Sequence, residues 1–159
     1  MIGVQTIGRL TVMTAADTDP LALDRQVCFA LAVATREIVA LYRPVLEPMG
    51  LTHPQYLVML ALWERDARSL RDLADTVALD PGTLSPLVKR LETAGLVVRA
   101  RDGGDERMLA VRLTTEGRRL RRQALKVPER IAARLALRPL DERAERLREL
   151  ADYIVRRTA

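Results

Sequence analysis

Hydrophobic residues recur at three- and four-residue spacing in the middle of the chain, and this period predicts two short amphipathic helices. The first covers residues 69–79 and begins after Ser69, a candidate N-cap. The second covers residues 80–94, with Asp80 as its N-cap and Gly95 as its terminator. Such a pair is typical of a helix-turn-helix, and equally typical of an ordinary helical domain.

Two runs of β-forming residues follow these helices directly. They are residues 97–101 and 108–113, and the segment between them, DGGDER at 102–107, contains two glycines that permit a tight reversal. The pattern predicts a β-hairpin. A helix-turn-helix followed by a hairpin is a winged helix, in which the second helix enters the major groove of DNA. A solvated hairpin with ordinary surface charge is the alternative interpretation.

Long helices are predicted on both sides of this winged core. Residues 24–45 and 54–67 form two helices before it, with Pro44 and Pro48 ending the first. After the hairpin, a helix capped by Thr114 is kinked at Pro128, and a last helix begins at Pro139. The fold class is therefore mainly α with a small β-hairpin: a winged helix-turn-helix with flanking N- and C-terminal helices.

The same pattern predicts the domain organisation. Residues 1–22 lack periodicity and are expected to be a flexible arm, and residues 23–159 form a single domain. Within it, the winged helix-turn-helix covers about 54–113, and dimerisation helices cover about 24–47 and 115–157. The terminal helices are more apolar than a lone small domain requires, so we expect a homodimer. The second short helix of each protomer would then contact one half-site of a pseudo-palindromic operator, with the two half-sites about 34 Å apart.

Charge is concentrated on the winged core. The net charge is +5, and residues 83–122 hold ten Lys or Arg against five Asp or Glu, whereas the other segments hold sixteen of each. An Arg-rich coding bias explains why 24 of the 26 basic residues are Arg, but it does not explain the clustering. A clustered excess of cations is typical of a surface that binds the phosphates of double-stranded DNA.

The outward face of the second short helix carries hydroxyls and cations that suit DNA contacts. The candidate major-groove residues are Thr83, Ser85, Pro86, Lys89 and Arg90. Pro86 removes one backbone donor; if the regular helix begins near Thr83, Pro86 falls in the first turn, where this loss is harmless. On the wing, Arg101 and Arg107 are the candidate contacts, and Asp105 is expected to hold Arg107 in place.

Other classes of protein find little support in the sequence. One cysteine and one histidine exclude an intrachain disulfide and a Cys-based zinc finger, and make a histidine metal site improbable. Glycine-rich phosphate loops and nucleophile elbows are absent, so no cofactor and no catalytic residue is expected. The chain has no signal peptide and no apolar run long enough for a membrane span, so a cytoplasmic location is expected.

The run DERMLAVRLTTEG, residues 105–117, resembles the wing signature of the MarR (multiple antibiotic resistance regulator) family, and the resemblance covers nearly all of residues 23–157. A narrower resemblance, to the organic hydroperoxide resistance regulators (the OhrR branch), rests on three segments: LDRQVCFALAVATREIVALYRPVL, GLTHPQYLVMLALWE and LDPGTLSPLVKRLE. It implies a dimeric repressor with a sensing cysteine near the start of the first helix. The matching residue is Cys28.

The position of Cys28, about one turn inside the predicted helix, suits a thiolate because helix N-terminal amides stabilise negative charge. A small buried hydrophobe is the alternative. In the OhrR branch, tyrosines hydrogen-bond the cysteine; Tyr42 matches one, whereas Ala32 and His53 stand where others occur. Our hypothesis is that His53 approaches Cys28 of the partner subunit, where an imidazolium would favour the thiolate. An exposed N-terminal helix residue is the alternative for His53.

Four functions follow, in order of support. The first is a sequence-specific, homodimeric repressor released from DNA when organic hydroperoxide oxidises Cys28. Because no second cysteine exists, the oxidation is expected to proceed through a low-molecular-weight thiol, a protein partner or over-oxidation. The second is a MarR-like regulator gated by a small-molecule ligand in the dimer cleft, with a structural cysteine. A winged helix that binds a protein partner is the third. A thiol enzyme that uses Cys28 and His53 lacks an evident oxyanion donor, so we expect no enzymatic activity.

Overall fold

The computed structural model describes residues 20–102, 105–136 and 142–158. The chain divides into two compact units, residues 1–40 and 41–159. The helices and strands are α1 (Val27–Leu46), α2 (His53–Glu64), β1 (Arg68–Ser69), α3 (Leu70–Val77), α4 (Pro81–Thr93), β2 (Val97–Asp102), β3 (Asp105–Leu113), α5 (Thr115–Ala124), α6 (Val127–Arg134) and α7 (Glu142–Thr158).

The described part of the first unit is a short 3-10 helix followed by most of α1. The 3-10 helix covers Leu23–Arg25, and α1 begins at Val27, three residues later than predicted. The side chain of Gln26 donates to the carbonyl of Pro20 at 2.7 Å, which ties the entering chain to the start of α1. Residues 1–19, most of the predicted arm at 1–22, lie outside the described residues.

The connection from α1 to α2 differs from the prediction in one respect. Pro44 lies inside α1, which continues to Leu46, so the prediction that Pro44 ends the helix is wrong. A 3-10 helix, Glu47–Met49, follows, and Gly50 supplies the left-handed backbone (φ +67°) that reverses the chain. The amide of Thr52 then donates to Gln55 Oε1 at 2.8 Å, one half of a capping box at the start of α2.

The sequence pattern predicts that α2 ends near residue 67, which is three residues too late. The helix ends at Glu64 rather than near residue 67, because the chain turns into the unpredicted strand β1. β1 pairs antiparallel with β3, and Arg68 lies opposite Val111. The sheet has the order β1-β3-β2. A pairing between positions so distant in sequence leaves no local signal.

The predicted hairpin is confirmed, and its strands are longer than expected. β2 and β3 pair antiparallel from Val97↔Leu113 to Asp102↔Asp105. The predicted connecting segment, 102–107, was therefore too long, because most of it extends the two strands instead. Gly103 and Gly104 lie outside the described residues.

The predicted caps of the two short helices are confirmed. Ser69 Oγ accepts from the amide of Asp72 at 3.1 Å, and Asp80 Oδ1 accepts from the amide of Thr83 at 2.9 Å. The helix α4 begins at Pro81, however, so Pro86 is its sixth residue and lies outside the first turn, contrary to the prediction. The hydrogen bond lost there is the one to the carbonyl of Gly82; both residues are exposed, so water can replace it.

The helix after the wing is capped and broken as its sequence suggested. Thr114 Oγ1 accepts from the amide of Gly117 at 3.0 Å. The kink expected at Pro128 appears as a break between α5 and α6, with Pro128 in the first turn of α6, where its missing N–H costs no helical bond. The last helix, α7, begins at Glu142; Pro139, its predicted start, lies outside the described residues.

The core of the second unit is shared by α2, α3, α4, the sheet, α5 and α6. Its largest fully buried side chains include Leu46, Met59, Leu62, Leu73, Leu84 and Leu91. The mainly α winged helix-turn-helix predicted from the sequence is thereby confirmed. Within the described ranges, no helix is both long and apolar enough to span a membrane.

Candidate DNA interface and cysteine region

The helix α4 separates an apolar face from a cationic face. Leu84, Leu87, Val88 and Leu91 are all buried, as predicted from their spacing. Lys89 and Arg90 are exposed, and neither side chain has a hydrogen bond or ion pair with any described residue. Pro86 is exposed beside them, whereas Ser85 is partly buried. Two unpaired cations therefore project from the helix expected to enter the major groove.

The hydroxyl of Thr83 is already engaged within the chain. It donates to Asp80 Oδ2 at 2.6 Å, and the amide of Thr83 donates to Asp80 Oδ1 at 2.9 Å. These hydrogen bonds hold the pKa of the Asp80 carboxyl below its ordinary value, and the bond from the Thr83 hydroxyl contributes most. Thr83 is exposed, but in this state its oxygen can only accept a hydrogen bond. If the Thr83 hydroxyl is to donate a hydrogen bond to DNA, its contact with Asp80 must first open.

An ion pair connects α4 to the wing. The amide of Arg99 in β2 donates to Glu92 Oε1 at 3.3 Å, and Arg99 Nε lies 3.6 Å from Glu92 Oε2. Arg99 Nη2 also donates to the carbonyl of Ser85 at 3.4 Å. The guanidinium therefore contacts α4 at two places about two turns apart, Ser85 and Glu92. Although the sequence counts Arg99 among the cations of the hairpin, the structure makes it a brace between the hairpin and the helix.

Asp66 fixes the other end of the wing. Its Oδ1 accepts from the amide of Leu113 at 2.9 Å, and its Oδ2 accepts from Arg118 at 2.6 Å. The loop after α2, the end of β3 and the first turn of α5 are thus joined through one carboxylate. Nothing in the sequence around Asp66 indicated this role, because its partners are about fifty residues away.

Arg68 is a buried cation that connects α2 to α3. It is only 7% exposed, and its Nε donates to the carbonyl of Ala61 at 3.0 Å. Its Nη1 donates to Thr76 Oγ1 at 3.0 Å and to Asp72 Oδ2 at 3.2 Å. A buried guanidinium is tolerated only when its donors are satisfied in this way. Arg68 was also missed at the level of sequence, since an isolated Arg reads as a surface residue.

The wing candidates belong to β2 and β3. Arg101 lies opposite Leu109 in the strand register, close to the tip of the hairpin. The side chains of Arg101, Asp105 and Arg107 lie outside the described residues, so the predicted pairing of Asp105 with Arg107 stays a prediction.

Cys28 is the second residue of α1 and is exposed. It lies closer to the helix N-terminus than predicted, because α1 begins at Val27 rather than near Asp24. The first α-helical hydrogen bond joins the amide of Ala30 to the carbonyl of Gln26 at 3.1 Å, so the amide of Cys28 belongs to the open first turn. Among the described residues, no cluster of His, Cys, Asp and Glu is arranged to hold a metal ion.

Tyr42 and His53, the other two candidate sensing residues, are brought together in the second unit. Their rings meet edge to face with 4.8 Å between centroids, and the ring of Tyr56 lies 6.0 Å from that of Tyr42. Burial lowers the pKa of the His53 imidazole and raises the pKa of the Tyr42 phenol. A neutral imidazole at neutral pH follows, which disfavours the imidazolium suggested by the sequence. His53 is also partly buried, so the alternative interpretation, an exposed residue at the N-terminus of its helix, agrees with the structure only in part.

Comparison with known proteins places these features in a family. Residues 40–123, more than half of the chain, match the family described as Transcriptional regulator SarA/Rot. The HTH-type transcriptional regulator TtmR of Methylorubrum extorquens is 43% identical over 133 residues, which are 84% of this chain and 68% of that protein. The organic hydroperoxide resistance transcriptional regulator of Bacillus subtilis is 38% identical over 110 residues, 69% of this chain and 75% of that one.

Solved structures of similar proteins include complexes with DNA and with a ligand. Reduced AbfR bound to DNA, a protein of Staphylococcus epidermidis, has a TM-score of 0.68 and 33% identity over 86% of this chain and 95% of that one. CouR of Rhodococcus jostii bound to p-coumaroyl-CoA has a TM-score of 0.72 and 30% identity over 84% and 94%. With the winged core and its cationic helix, these matches show that the chain belongs to the SarA/Rot family of transcriptional regulators and is a DNA-binding winged-helix protein of MarR-like fold.

Proposed function

We propose that this regulator is a homodimeric, sequence-specific repressor whose affinity for its operator falls when organic hydroperoxide oxidises Cys28. The observation that carries the proposal is an exposed cysteine in the open first turn of α1. The sequence resemblance to the organic hydroperoxide regulators implies a sensing cysteine at this place in the first helix. Contacts of Ser85, Lys89 and Arg90 with DNA, and the roles of Arg101 and Arg107 on the wing, belong to the same proposal.

The apolar surface of α7 supports a homodimer. Leu147, Leu150 and Tyr153, which follow one another at three-residue spacing, are 63%, 41% and 54% exposed in the single chain. In the first unit, Val27 and Leu31 of α1 are also exposed, at 65% and 37%. Large apolar side chains exposed together on one helix mark an interaction surface, and a second copy of the chain is the simplest partner.

Dimerisation is testable by sedimentation of purified protein. The double variant Leu147→Arg/Leu150→Arg should shift the protein to the monomer, because it places two charges on the same face of the proposed interface helix. Leu60→Arg is the matched control, since Leu60 is 41% exposed but lies on α2, outside the predicted dimerisation helices. A wild-type protein that sediments as a monomer at micromolar concentration would contradict the dimer.

The oxidation step balances with an external peroxide and an external thiol. The Cys28 thiolate attacks the distal oxygen of the hydroperoxide, the O–O bond breaks, and the alkoxide leaves as an alcohol after protonation. The cysteine becomes a sulfenic acid. A low-molecular-weight thiol then condenses with it, which forms a mixed disulfide and releases water, because this chain contains no second cysteine. Either product adds bulk or polarity to the first turn of α1, where a packed dimer would have to rearrange.

His53 enters this proposal in a revised form. Because burial lowers its pKa, the ring acts as a neutral hydrogen-bonding group rather than as a cation. We keep the hypothesis that His53 of one protomer, held edge to face by Tyr42, hydrogen-bonds Cys28 of the other. Under it, His53→Phe keeps the ring contact but slows the oxidation of Cys28.

The experiment is a titration with cumene hydroperoxide, read by DNA binding. Reduced wild-type protein should lose its affinity for an operator fragment as peroxide is added, and dithiothreitol should restore it. The variant Cys28→Ser should keep binding DNA throughout. If both proteins keep binding, or both lose binding equally, oxidation of Cys28 is not the signal.

A regulator gated by a small ligand is the second candidate. The likeness to CouR, solved with p-coumaroyl-CoA, favours it, and Cys28 would then be structural. In that case Cys28→Ser would respond to the inducing ligand as the wild type does, and peroxide would leave both unchanged.

A further inference from the structure

One carboxylate attaches the winged core to α5, and we name the three residues that meet there, Asp66, Leu113 and Arg118, the Asp66 clamp. Asp66 lies in the loop after α2; it accepts from the amide of Leu113, the last residue of β3, at 2.9 Å and from Arg118 Nη1 of α5 at 2.6 Å. The strand β3 belongs to the wing, whereas α5 is the first of the helices, 115–157, expected to form a dimer. The clamp therefore connects a DNA-binding part of the chain to a dimerisation part.

Two neutral hydrogen bonds attach the start of α5 to other segments of the core. Trp63 Nε1 of α2 donates to the carbonyl of Gly117 at 2.9 Å. Thr114 Oγ1 donates to the carbonyl of Gly95, just beyond the end of α4, at 2.6 Å. Both bonds, like the Asp66 clamp, lie within the second compact unit, residues 41–159. Attachments to three different segments define the direction of a helix as well as the point where it starts, and the Asp66 clamp supplies the third.

The Asp66 clamp is better suited to positioning than to stabilising the fold. The side chains of Asp66 and Arg118 are 37% and 58% exposed, and an ion pair this accessible to water adds little to the free energy of folding. Its geometry is nevertheless directional, because the N–H donors must point at the carboxylate oxygens, and the amide of Leu113 holds that carboxylate in place. A pair with a small effect on stability and a defined direction can control the angle between two elements.

In a dimer, that angle sets the distance between the two α4 helices. Each α4 would lie about 17 Å from the two-fold axis, half of the ~34 Å between adjacent half-sites. A tilt of about 10° at the start of α5 would then move α4 by about 3 Å, close to the ~3.4 Å rise of one base pair. We propose that Asp66 and Arg118 are positioning residues that fix this distance and thereby select operators by the spacing of their half-sites. The inference rests on the homodimer proposed above.

A neighbouring ion pair on the same helix provides an internal comparison. Arg119 Nη1 lies 3.7 Å from Glu116 Oε2, three residues earlier in α5. The side chains of Arg119 and Arg118 are similarly exposed, at 68% and 58%, so the Arg119 pair likewise adds little to stability. Both of its partners belong to α5, however, so this pair cannot hold α5 against the wing. Loss of the Arg119 charge should therefore leave the selection of spacing intact.

The test measures DNA binding by the full-length reduced protein, using fluorescence anisotropy. Four duplexes are compared: a selected operator, the same operator with one central base pair inserted, the same operator with one central base pair removed, and a single half-site in random flanks. Wild-type protein should bind either altered spacing at least about tenfold more weakly than the selected operator, an effect comparable to one mismatched base pair. The single half-site reports the contacts of one α4 and its wing alone, because it contains no spacing.

Asp66→Asn and Arg118→Gln should each reduce that preference to about threefold or less, because a loosely attached α5 lets the dimer adopt either spacing. Asparagine keeps an acceptor for the amide of Leu113, so β3 retains its hydrogen bond. Affinity for the single half-site should stay within about threefold of wild type at physiological salt, which screens distant charges. The two substitutions change the net charge in opposite directions, so an effect that they share cannot come from charge alone.

Arg119→Gln is the matched control, because it removes the same charge as Arg118→Gln and should keep the wild-type preference. Thermal melts monitored by circular dichroism verify that all variants fold. Three results would overturn the inference and leave the dimeric repressor in place: a clamp variant that keeps the wild-type preference, an equal loss of preference in Arg119→Gln, or a half-site affinity that falls as much as the operator affinity. Wild-type protein that binds every spacing equally would instead contradict the dimer, and with it this inference.

Discussion

Replacement of Gly117 by alanine tests how closely α5 is attached to the wing. A Cβ atom at this position would lie 2.1 Å from the carbonyl oxygen of Leu96 and 3.2 Å from Leu113 Cδ2. The first distance is about 1 Å too short for a carbon–oxygen contact, and the obstacle is backbone, which cannot rotate away. The first turn of α5 must therefore move.

That movement acts on several hydrogen bonds at once. Trp63 Nε1 donates to the carbonyl of Gly117 at 2.9 Å, and the cap of Thr114 on the amide of Gly117 is 3.0 Å long. The amide of Thr114 donates to the carbonyl of Leu96 at 3.1 Å. Overpacking costs about 1–3 kcal/mol, and a weakened cap or hydrogen bond adds about 1 kcal/mol. We expect Gly117→Ala to lower the free energy of unfolding by about 2–4 kcal/mol.

The assay is thermal unfolding by circular dichroism at one fixed protein concentration, because a dimer melts at a concentration-dependent temperature. For a chain of this size, the expected loss lowers Tm by about 5–15 °C. Gly82→Ala is the matched control: its Cβ would approach only the flexible carboxylate of Asp80, and alanine favours a helix more than glycine does. A Tm of Gly117→Ala within about 2 °C of wild type, or an equal loss in Gly82→Ala, would refute the reasoning.

Three further predictions concern the cations and their partners. Arg68→Met should lower the free energy of unfolding by about 1–3 kcal/mol, because it removes the hydrogen bonds that a buried guanidinium makes to Asp72, Thr76 and the carbonyl of Ala61. Arg65→Met should cost less than about 1 kcal/mol because Arg65 is exposed; urea titrations measure both. Desolvation raises the pKa of Asp72, but hydrogen bonds and charges from Arg65 and Arg68 outweigh it and leave the pKa below 3.8. The ionised Asp72 therefore stabilises the fold above that pH, and this stability is lost as the pH falls through the lowered pKa. Asp72→Asn should accordingly flatten the pH dependence of Tm at acid pH. Arg90→Ala should reduce the magnitude of the slope of log affinity against log salt by about 2, because a dimer loses one phosphate contact per protomer. Fluorescence anisotropy with a selected operator measures the slope, and Arg146→Ala on α7 should leave it unchanged.

The parts of the fold that could be predicted from sequence are those fixed by neighbouring residues. Caps at Ser69, Asp80 and Thr114 act over three residues, and the stripe on α4 follows from the helical period, so each was found. The strand β1 could not be predicted, because its two residues are extended only through pairing with β3, about forty residues away. The braces through Asp66 and Arg68 were missed for the same reason.

In the candidate site, too, only the features fixed by neighbouring residues could be predicted from the sequence. Helical spacing separated the exposed Lys89 and Arg90 from the core, but nothing local indicated that the hydroxyl of Thr83 donates to Asp80 or that Arg99 is tied to Glu92. The lowered pKa of His53 also depends on burial by distant residues, which a sequence pattern does not contain.

These braces change what the clustered charge means. The sequence gives ten cations between residues 83 and 122, and a count alone would offer all of them to phosphate. Three of them are held by carboxylates: Arg99 by Glu92, Arg118 by Asp66 and Arg119 by Glu116. A paired arginine releases few counter-ions when DNA arrives, because its charge is already neutralised. The cations free to act on α4 are then Lys89 and Arg90, at the end of a helix whose orientation Arg99 and Glu92 fix relative to the wing. Arginine thus serves two purposes in one small region, and the partner of each side chain, rather than its position in the cluster, decides which purpose it serves.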